Sequence, residues 1–468
     1  ICEGFQLTDT NDAEGDFLGY AAFAFQYRQA CALPLELKHI IQQQSAPEIK
    51  GYCSKQADGV LKALLTEDHP TLIELWLTCC VEKNLLVRAD VLPILLDLGI
   101  KKKEWRKSIF SVAGERGAWL ATLRGDWADL IKPIDVISAW ETGSFDQRKE
   151  ALRELRLGSA DHALELLKNT WETEGTNEKV AFLDTLKVNL SISDLQWLES
   201  LKEKSQKVNN AVTGLLKLIP QSRLVSQYTQ ALKGVIAVKK DKALLGMLNR
   251  VTLKVNENTE FPDSIFKAGI DKLSSNKDVS DQQYIIIQLI EATPPAFHVE
   301  QLQLPVTEIV NLLIKDQGLR YLDAFAMSAC RYRDVAWIKA LLDQGRDALS
   351  GDAVLALLGA LPDEDRDIFA IRCFDKKPTE ITQLMLRSGC EWSIELAKAI
   401  LKSVGHEIHH YNRLFFRQAA PLIPVALCDQ LHLLAPAEEQ KNVYWKNQAD
   451  ELERLLNLKN QIWQSFNA

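Results

Sequence analysis

The stretch GHEIHHYNR, residues 405–413, carries the spacing His-Glu-x-x-His at His406, Glu407 and His410. On a continuous helix this spacing places two imidazoles one turn apart, where both can bind Zn²⁺. The glutamate between them then acts as the general base of a metallopeptidase. The pattern therefore raises the hypothesis of a zinc-dependent hydrolase.

Three features of the surrounding sequence favour a surface turn instead. Gly405 follows the helical stretch SIELAKAILKSV, and a glycine at that place typically ends a helix, so the motif would cross a helix junction. The neighbouring residues are polar, as in an exposed connection. A third ligand is also needed, and the downstream candidates His432, Glu438 and Glu439 belong to no second motif. We interpret the stretch as a surface turn and expect no resident metal or cofactor.

Tryptophan and arginine side chains between residues 114 and 156 are candidates for contacts with a protein partner, since both types are enriched in binding hot spots. Two other interpretations compete with this one. The tryptophans suit core positions between helices, and the arginines can pair with Glu150 and Glu154 on neighbouring turns. The interaction candidates are Arg116, Trp119, Trp127, Trp140, Arg148, Arg153 and Arg156.

The segment GERGAWL, residues 114–120, is a second place where backbone chemistry could matter. It lacks the Gly-Lys-Ser/Thr of a phosphate-binding loop, so a nucleotide site is not indicated. We predict a tight turn between helices, in which glycine permits a positive φ or a close backbone approach. The chain also carries neither Gly-x-Ser-x-Gly nor a Cys–His signature of nucleophilic catalysis.

Composition and charge narrow the function classes. The chain has 468 residues, 47% hydrophobic residues and a net charge of −8, which argues against a general nucleic-acid or anionic-membrane binder. A nucleic-acid-binding helical-repeat protein stays an alternative only through a local patch at Arg148, Arg153 and Arg156. The 9 cysteines form no C-x-x-C pair, and the start of the chain lacks a secretory pattern. We therefore expect reduced thiols, no membrane span and a cytoplasmic protein.

The hydrophobic periodicity predicts short helices throughout. In QKVNNAVTGLLKLI, residues 206–219, apolar side chains recur every three and four positions, and Pro220 ends the helix. The helix before it has Ser191 as its N-cap with Asp194 three residues on. Helix pairs recur at about thirty to forty residues, which is typical of HEAT and armadillo repeats. We predict an all-α fold, a HEAT/armadillo-like α-solenoid of stacked helix pairs.

A break in the helical pattern lies between residues 236 and 283. It contains the β-branched run VTLKV, which predicts a short strand or an irregular segment, and a polar stretch after it. The run QYIIIQLI, residues 283–290, fits either a strand or a buried helix. We place a boundary near residue 255, which gives an N-terminal HEAT-like lobe at 1–255 and a C-terminal helical lobe at 256–468.

Four stretches of the sequence, strongest over residues 90–225, resemble one bacterial family that is catalogued only as a domain of unknown function. The resemblance continues in order from about residue 15 to the C-terminal region. Two departures from the family pattern occur at Lys179 and Asn209, where relatives usually have arginine. The stretches are VLPILLDLG (91–99), GERGAWLATLRGDW (114–127), WETGSFDQRKEALRELR (140–156) and LSISDLQWLESLKEKSQKVNNAVTGLLKLIPQSRL (190–224).

The resemblance implies a HEAT-like helical protein with no known activity and no catalytic residues to carry over. Members of that family are typically encoded beside a SWIM zinc-finger protein, a MoxR-type AAA+ ATPase and a von Willebrand A-domain protein. We therefore expect a non-enzymatic scaffold or adaptor whose partners include the AAA+ ATPase and the von Willebrand A-domain protein. If the missing arginines lined a shared groove, the groove of this chain would be less basic.

Overall fold

A computed structural model describes the chain over six stretches, and Cys2 and Cys31 lie outside them. The chain forms two compact units, Ile1–Pro47 and Glu48–Ala468. In the first unit the described element is helix α1 (Ala13–Ala30), which buries none of its residues. The described stretches are 12–30, 45–131, 136–242, 249–315, 317–411 and 413–467.

The first half of the second unit is helical, with serine caps at several starts. Ser144 and Gln147 form a capping box, and so do Ser191 and Asp194, which confirms the cap predicted from the sequence. Short 3₁₀ turns at Lys103–Trp105 and Trp171–Thr173 join neighbouring helices. The helices are α2 (Lys55–Glu67), α3 (Pro70–Glu82), α4 (Leu92–Lys101), α5 (Arg106–Thr122), α6 (Gly125–Ile131), α7 (Val136–Thr142), α8 (Phe145–Gly158), α9 (Ala160–Thr170), α10 (Thr176–Thr185), α11 (Ile192–Ser200) and α12 (Gln206–Leu216).

The second half adds one hairpin and further short helices. Strands β1 (Ile236–Lys242) and β2 (Asn249–Val255) pair antiparallel, so the strand predicted at VTLKV is confirmed. The run QYIIIQLI belongs to a helix. The helices are α13 (Arg223–Leu232), α14 (Asp263–Lys267), α15 (Asp281–Glu291), α16 (Pro295–Leu302), α17 (Val306–Leu313), α18 (Leu322–Arg331), α19 (Val335–Gln344), α20 (Gly351–Ala360), α21 (Asp363–Cys373), α22 (Pro378–Leu386), α23 (Ile394–His406), α24 (Arg413–Ala419) and α25 (Glu439–Asn467), with 3₁₀ turns at Gln317–Tyr321, Phe374–Lys376, Ile408–His410 and Val425–Leu434.

Buried apolar side chains form two large clusters in the second unit. The first core combines residues from 53–113 with residues from 228–466, and the second core takes residues from 140–219. The all-α prediction is confirmed, because within the described residues the only strands are the two of the β1–β2 hairpin. The solenoid stacking and the boundary near residue 255 stay predictions, and the first core contains Leu253, Val255 and Ile265 on both sides of that boundary. Among the described residues, no helix combines the length and apolar character needed to cross a bilayer.

The last helix of the second unit returns to its first two helices. Helix α25 packs against both α2 and α3. The rings of Trp76 and Phe466 lie 5.2 Å apart, and the Ser54 hydroxyl donates to the Ser465 carbonyl oxygen at 3.1 Å. Arg454 of α25 also pairs with Glu67 at 2.5 Å. These contacts join positions 387 to 411 residues apart in the chain, and through them 53–113 and 228–466 share one core.

The glycine of the GERGAWL segment has the positive φ that the sequence predicts, at a kink inside α5. Gly114 has φ 64° and ψ −166°, outside the helical region. Beyond the kink, the backbone N–H groups of Glu115 and Arg116 donate to the carboxylate of Glu48, both at 2.9 Å. A carboxylate at the start of a helical segment is favourable because the first N–H groups lack partners within the helix.

Substituting Gly114→Ala is expected to lower the free energy of unfolding by roughly 1–3 kcal/mol. The left-handed conformation is strained for alanine, and the added Cβ would lie 2.4 Å from the Glu48 carboxylate. The matched control is Gly158→Ala, where a Cβ meets no atom within 4 Å and φ is not positive. Urea unfolding at pH 7 measures both variants, and equal stability of the two would contradict this account of the kink.

The first core contains a histidine without hydrogen-bond partners. His298 is fully buried, and neither ring nitrogen has a partner among the described residues. Its ring lies 4.8 Å from that of Phe325 and 6.5 Å from that of Trp337, measured between centroids. This burial lowers the pKa of His298 from 6.5 to about 3, because the charged imidazolium loses its hydration there.

Folding stability should therefore fall as the pH drops below about 6.5. In that range the unfolded chain binds a proton at His298 and the folded chain does not, so acid favours the unfolded state. The expected loss is about 1.4 kcal/mol for each pH unit between 6.5 and the folded pKa. Urea unfolding at pH 7.0 and 5.5 should show a smaller loss for His298→Leu than for wild type. Equal losses would contradict the assignment.

Candidate functional site

The helix that carries the start of the His-Glu-x-x-His motif ends inside it. Helix α23 stops at His406, Glu407 is its C-cap, and Ile408–His410 form a 3₁₀ turn. The two histidines of the motif therefore do not share one helix, as the surface-turn interpretation requires. His406, Glu407 and His409 are exposed, whereas the His410 side chain lies outside the described part. The predicted helix end at Gly405 is wrong, because Gly405 is buried in α23 against the Trp445 ring.

The downstream histidine that could supply a third zinc ligand gathers with other carboxylates. His432 Nε2 lies 3.5 Å from Glu453 and 3.8 Å from Asp450. Within the described residues, His432, Asp450 and Glu453 form the one group of three potential metal ligands whose ligand atoms all lie within 4.8 Å of one another. This group contains neither His406 nor Glu407. All three groups are at or near the surface, where carboxylates are solvated without a metal.

The tryptophan candidates have different environments. Trp127 is buried and its Nε1 donates to Asp97 at 2.9 Å, and Trp140 is part of the second core. Trp119 is half-buried, and among the described residues its Nε1 has no partner. Trp127 and Trp140 thus serve packing in this conformation, which leaves Trp119 as the accessible member of the set.

The arginine candidates also separate into exposed and buried groups. Arg116 is exposed, and Arg153 is exposed and 3.1 Å from Glu150. Arg148 pairs with the nearly buried Glu174, and its guanidinium lies 4.6 Å from the centre of the Trp140 ring. Arg148, Arg153 and Arg156 therefore do not form an exposed basic strip, because Arg148 pairs with Glu174 and Arg156 is buried.

Arg156 is a structural centre of the second core. It is 1% exposed and holds both carboxylate oxygens of Asp194, at 2.8 and 3.0 Å. Asp194 also accepts from the Ser191 backbone N–H, so one carboxylate caps α11 and neutralises a buried cation. The guanidinium donates further to four carbonyl oxygens, at 2.7–3.2 Å, those of Ala160, Leu186, Val188 and Asn189. A buried arginine needs this satisfaction because its desolvation is costly.

Asp194→Ala is expected to lower the free energy of unfolding by about 3–5 kcal/mol, since it leaves the Arg156 charge buried and unpaired. Glu150→Ala removes an exposed ion pair with Arg153 and should change stability by less than about 1 kcal/mol. Chemical denaturation at pH 7 compares the two variants. Similar small losses for both would show that Arg156 is not the anchor described here.

The two departures from the family pattern meet at one turn. Lys179 is nearly buried and donates to the Glu203 carboxylate at 2.9 Å. The Trp171 indole N–H donates to the same carboxylate at 2.7 Å. Asn209 donates to the Glu203 backbone carbonyl at 2.8 Å. Both side chains therefore hold the turn before α12, and their identity does not determine how basic an open groove is.

An apolar recess, which we call the groove, lies where α10 and α12 of the second core face α18 of the first. It has a volume of about 550 Å³. Its walls are mostly aliphatic, and Met327 on α18 remains 41% exposed. An open recess of this size with few polar groups is typical of a binding site. The groove is lined by Val180, Leu183, Asp184, Lys187, Ala211, Gly214, Leu215, Leu218, Met327, Cys330 and Arg331.

Charged groups cluster at the end of the groove formed by α18. Arg331 lines the groove, and neither it nor the half-buried Glu291 has an ion pair within 4 Å among the described residues. Lys217 donates to the Gly269 carbonyl oxygen at 3.1 Å. Burial, and then the nearby Arg331 charge, lowers the pKa of Lys217, and burial raises the pKa of Glu291. The cluster is thus poorly hydrated, which strengthens its interaction with an added charge.

The groove suits binding better than covalent chemistry. Its thiol, Cys330, has a pKa raised to about 11 by burial, so it is protonated near neutral pH and is a weak nucleophile. The sequence analysis missed this site. Its apolar residues are recognisable as helix faces, and Gly214 interrupts one of them, but the periodicity does not reveal that α18 lies opposite.

Comparisons with known proteins give a family and no function. A family model described as a family of unknown function (DUF5691) matches residues 4–466. No curated protein matches the chain. Among solved structures, the crystal structure of an engineered protein from the Northeast Structural Genomics Consortium is 13% identical and aligns over 69% of this chain and 98% of that one, with a TM-score of 0.22.

Proposed function

This chain belongs to DUF5691, a family of unknown function, and from that premise we propose that it is a non-enzymatic helical scaffold that binds protein partners. The observation that carries the proposal is the groove between α10, α12 and α18. An apolar recess between helices accepts the apolar face of another helix, a common mode of protein recognition. The exposed Met327 on its rim supports this role, since methionine adapts to varied apolar partners.

The partners we propose are a MoxR-type AAA+ ATPase and a von Willebrand A-domain protein. The support for these two is the sequence resemblance, which implies that such genes lie beside members of the family. The two alternative functions are a zinc-dependent hydrolase and a nucleic-acid-binding protein, and each would need its residues in a different arrangement from the one described. The His-Glu-x-x-His motif crosses the end of α23, and Arg148 and Arg156 are held in ion pairs.

The purified chain should form a stoichiometric complex with the neighbouring AAA+ ATPase or von Willebrand A-domain protein. We expect a Kd of about 1 μM or tighter, corresponding to roughly −8 kcal/mol, by isothermal titration calorimetry. An unrelated von Willebrand A-domain protein is the control and should not bind. Absence of binding to both partners, with one zinc per chain that is lost in His406→Ala, would refute the scaffold and establish a metal site.

A further inference from the structure

We propose that the groove is the docking site for an amphipathic helix of the partner protein, and that a carboxylate on this helix pairs with Arg331. This inference rests on the proposed scaffold function, because it names the surface and the chemistry of the partner. It combines two independent observations, an open apolar wall and a cation without an ion pair at its end.

Gly214 contributes no side chain to the apolar wall of the groove. Gly214 lies in the last turn of α12, next to Leu215 on the groove wall, and a Cβ placed there meets no atom within 4 Å. Glycine is unfavourable inside a helix by roughly 0.5–1 kcal/mol relative to alanine, and neither a positive φ nor a steric contact requires it here. The absent side chain therefore keeps the groove open. The volume of about 550 Å³ holds the side chains of one face of a helix.

Arg331 supplies a positive charge to the groove wall. Its guanidinium lies on the groove wall with no ion pair within 4 Å among the described residues, and at longer range its charge acts to lower the pKa of Glu291 against the larger effect of burial. Lys187 on the opposite wall, by contrast, is 2.7 Å from Asp184. A guanidinium matches a carboxylate with two parallel hydrogen bonds. The half-buried surroundings weaken solvent screening, so a partner carboxylate at this end gains more than one at an exposed arginine.

Other occupants fit the groove less well. The chain has a net charge of −8, so the many phosphates of a nucleic-acid backbone would meet more unfavourable charge than a helix with one paired carboxylate. A drug-sized ligand is usually enclosed over most of its surface, whereas this recess is open to solvent. The wall instead offers aliphatic contacts along its length and a cation at one end, which complements a helix with an apolar stripe and an acidic residue.

The test uses fluorescence anisotropy with two labelled helical peptides. One carries leucines at i, i+3, i+4 and i+7 with glutamates flanking the stripe, and the other has glutamine in place of each glutamate. The acidic peptide should bind the full chain more tightly than the glutamine peptide. Arg331→Gln should abolish this difference, whereas Arg387→Gln, which replaces an exposed arginine at the end of α22 and does not line the groove, should preserve it.

A second pair of variants tests the apolar wall. Gly214→Leu fills the groove and should weaken both peptides at least about tenfold. Gly158→Leu adds the same side chain at a helical glycine outside the groove, also with no atom within 4 Å of its Cβ, and should leave binding unchanged. Circular dichroism establishes that both variants are folded before binding is measured.

Three results would overturn the inference: no binding of either peptide to the wild-type chain, equal affinities for the two peptides, or full binding by Gly214→Leu. Self-association that is lost in Gly214→Leu would also overturn it, by assigning the groove to a second copy of the chain. If the AAA+ ATPase or von Willebrand A-domain protein binds wild type and Gly214→Leu equally, the groove is wrong and the scaffold function stands. If neither protein binds wild type, the scaffold function itself fails.

Discussion

The two hydrophobic cores are linked by a polar joint at Tyr332, the residue after Arg331 of the groove wall. The Tyr332 hydroxyl lies 3.0 Å from the Lys217 carbonyl oxygen and 2.7 Å from that of Ala292, so the end of α12 and the end of α15 share one hydroxyl. Lys217 extends the joint by donating to Gly269. Polar groups at such a place must keep their hydrogen bonds, since an unpaired buried group is costly. The joint holds the end of α12 near the end of α18, and both helices line the groove.

Each core is held by its own long-range contacts, which position the helices on each side of the groove. In the second core, Arg156 connects α8 to the start of α11 through Asp194 and to the carbonyl oxygens before it. In the first core, α25 packs on α2 and α3, and Arg454 pairs with Glu67. A binding site between rigid elements loses little conformational freedom when a partner docks, which favours affinity.

Local features of this structure could be predicted from the sequence, whereas contacts between distant segments could not. Helical periodicity, the Ser191 cap and the β-branched run at 251–255 each depend on a few neighbouring residues. The Arg156–Asp194 pair was missed because it joins residues 38 positions apart, whereas helical spacing reveals only partners three or four positions apart. The return of α25 to α2 leaves no periodic signal, and neither does the facing of α12 and α18. The helix end predicted at Gly405 was wrong for the same reason, since Trp445 packs on it from α25.

Hydrogen–deuterium exchange of the chain with and without its AAA+ ATPase or von Willebrand A-domain partner tests the central claim most directly, because exchange reports the local opening of backbone hydrogen bonds. If the groove holds a partner helix, amides in Thr176–Thr185, Gln206–Leu216 and Leu322–Arg331 should become more protected in the complex. Protection confined to other segments, with these three helices unchanged, would contradict the account of a scaffold that works through this groove.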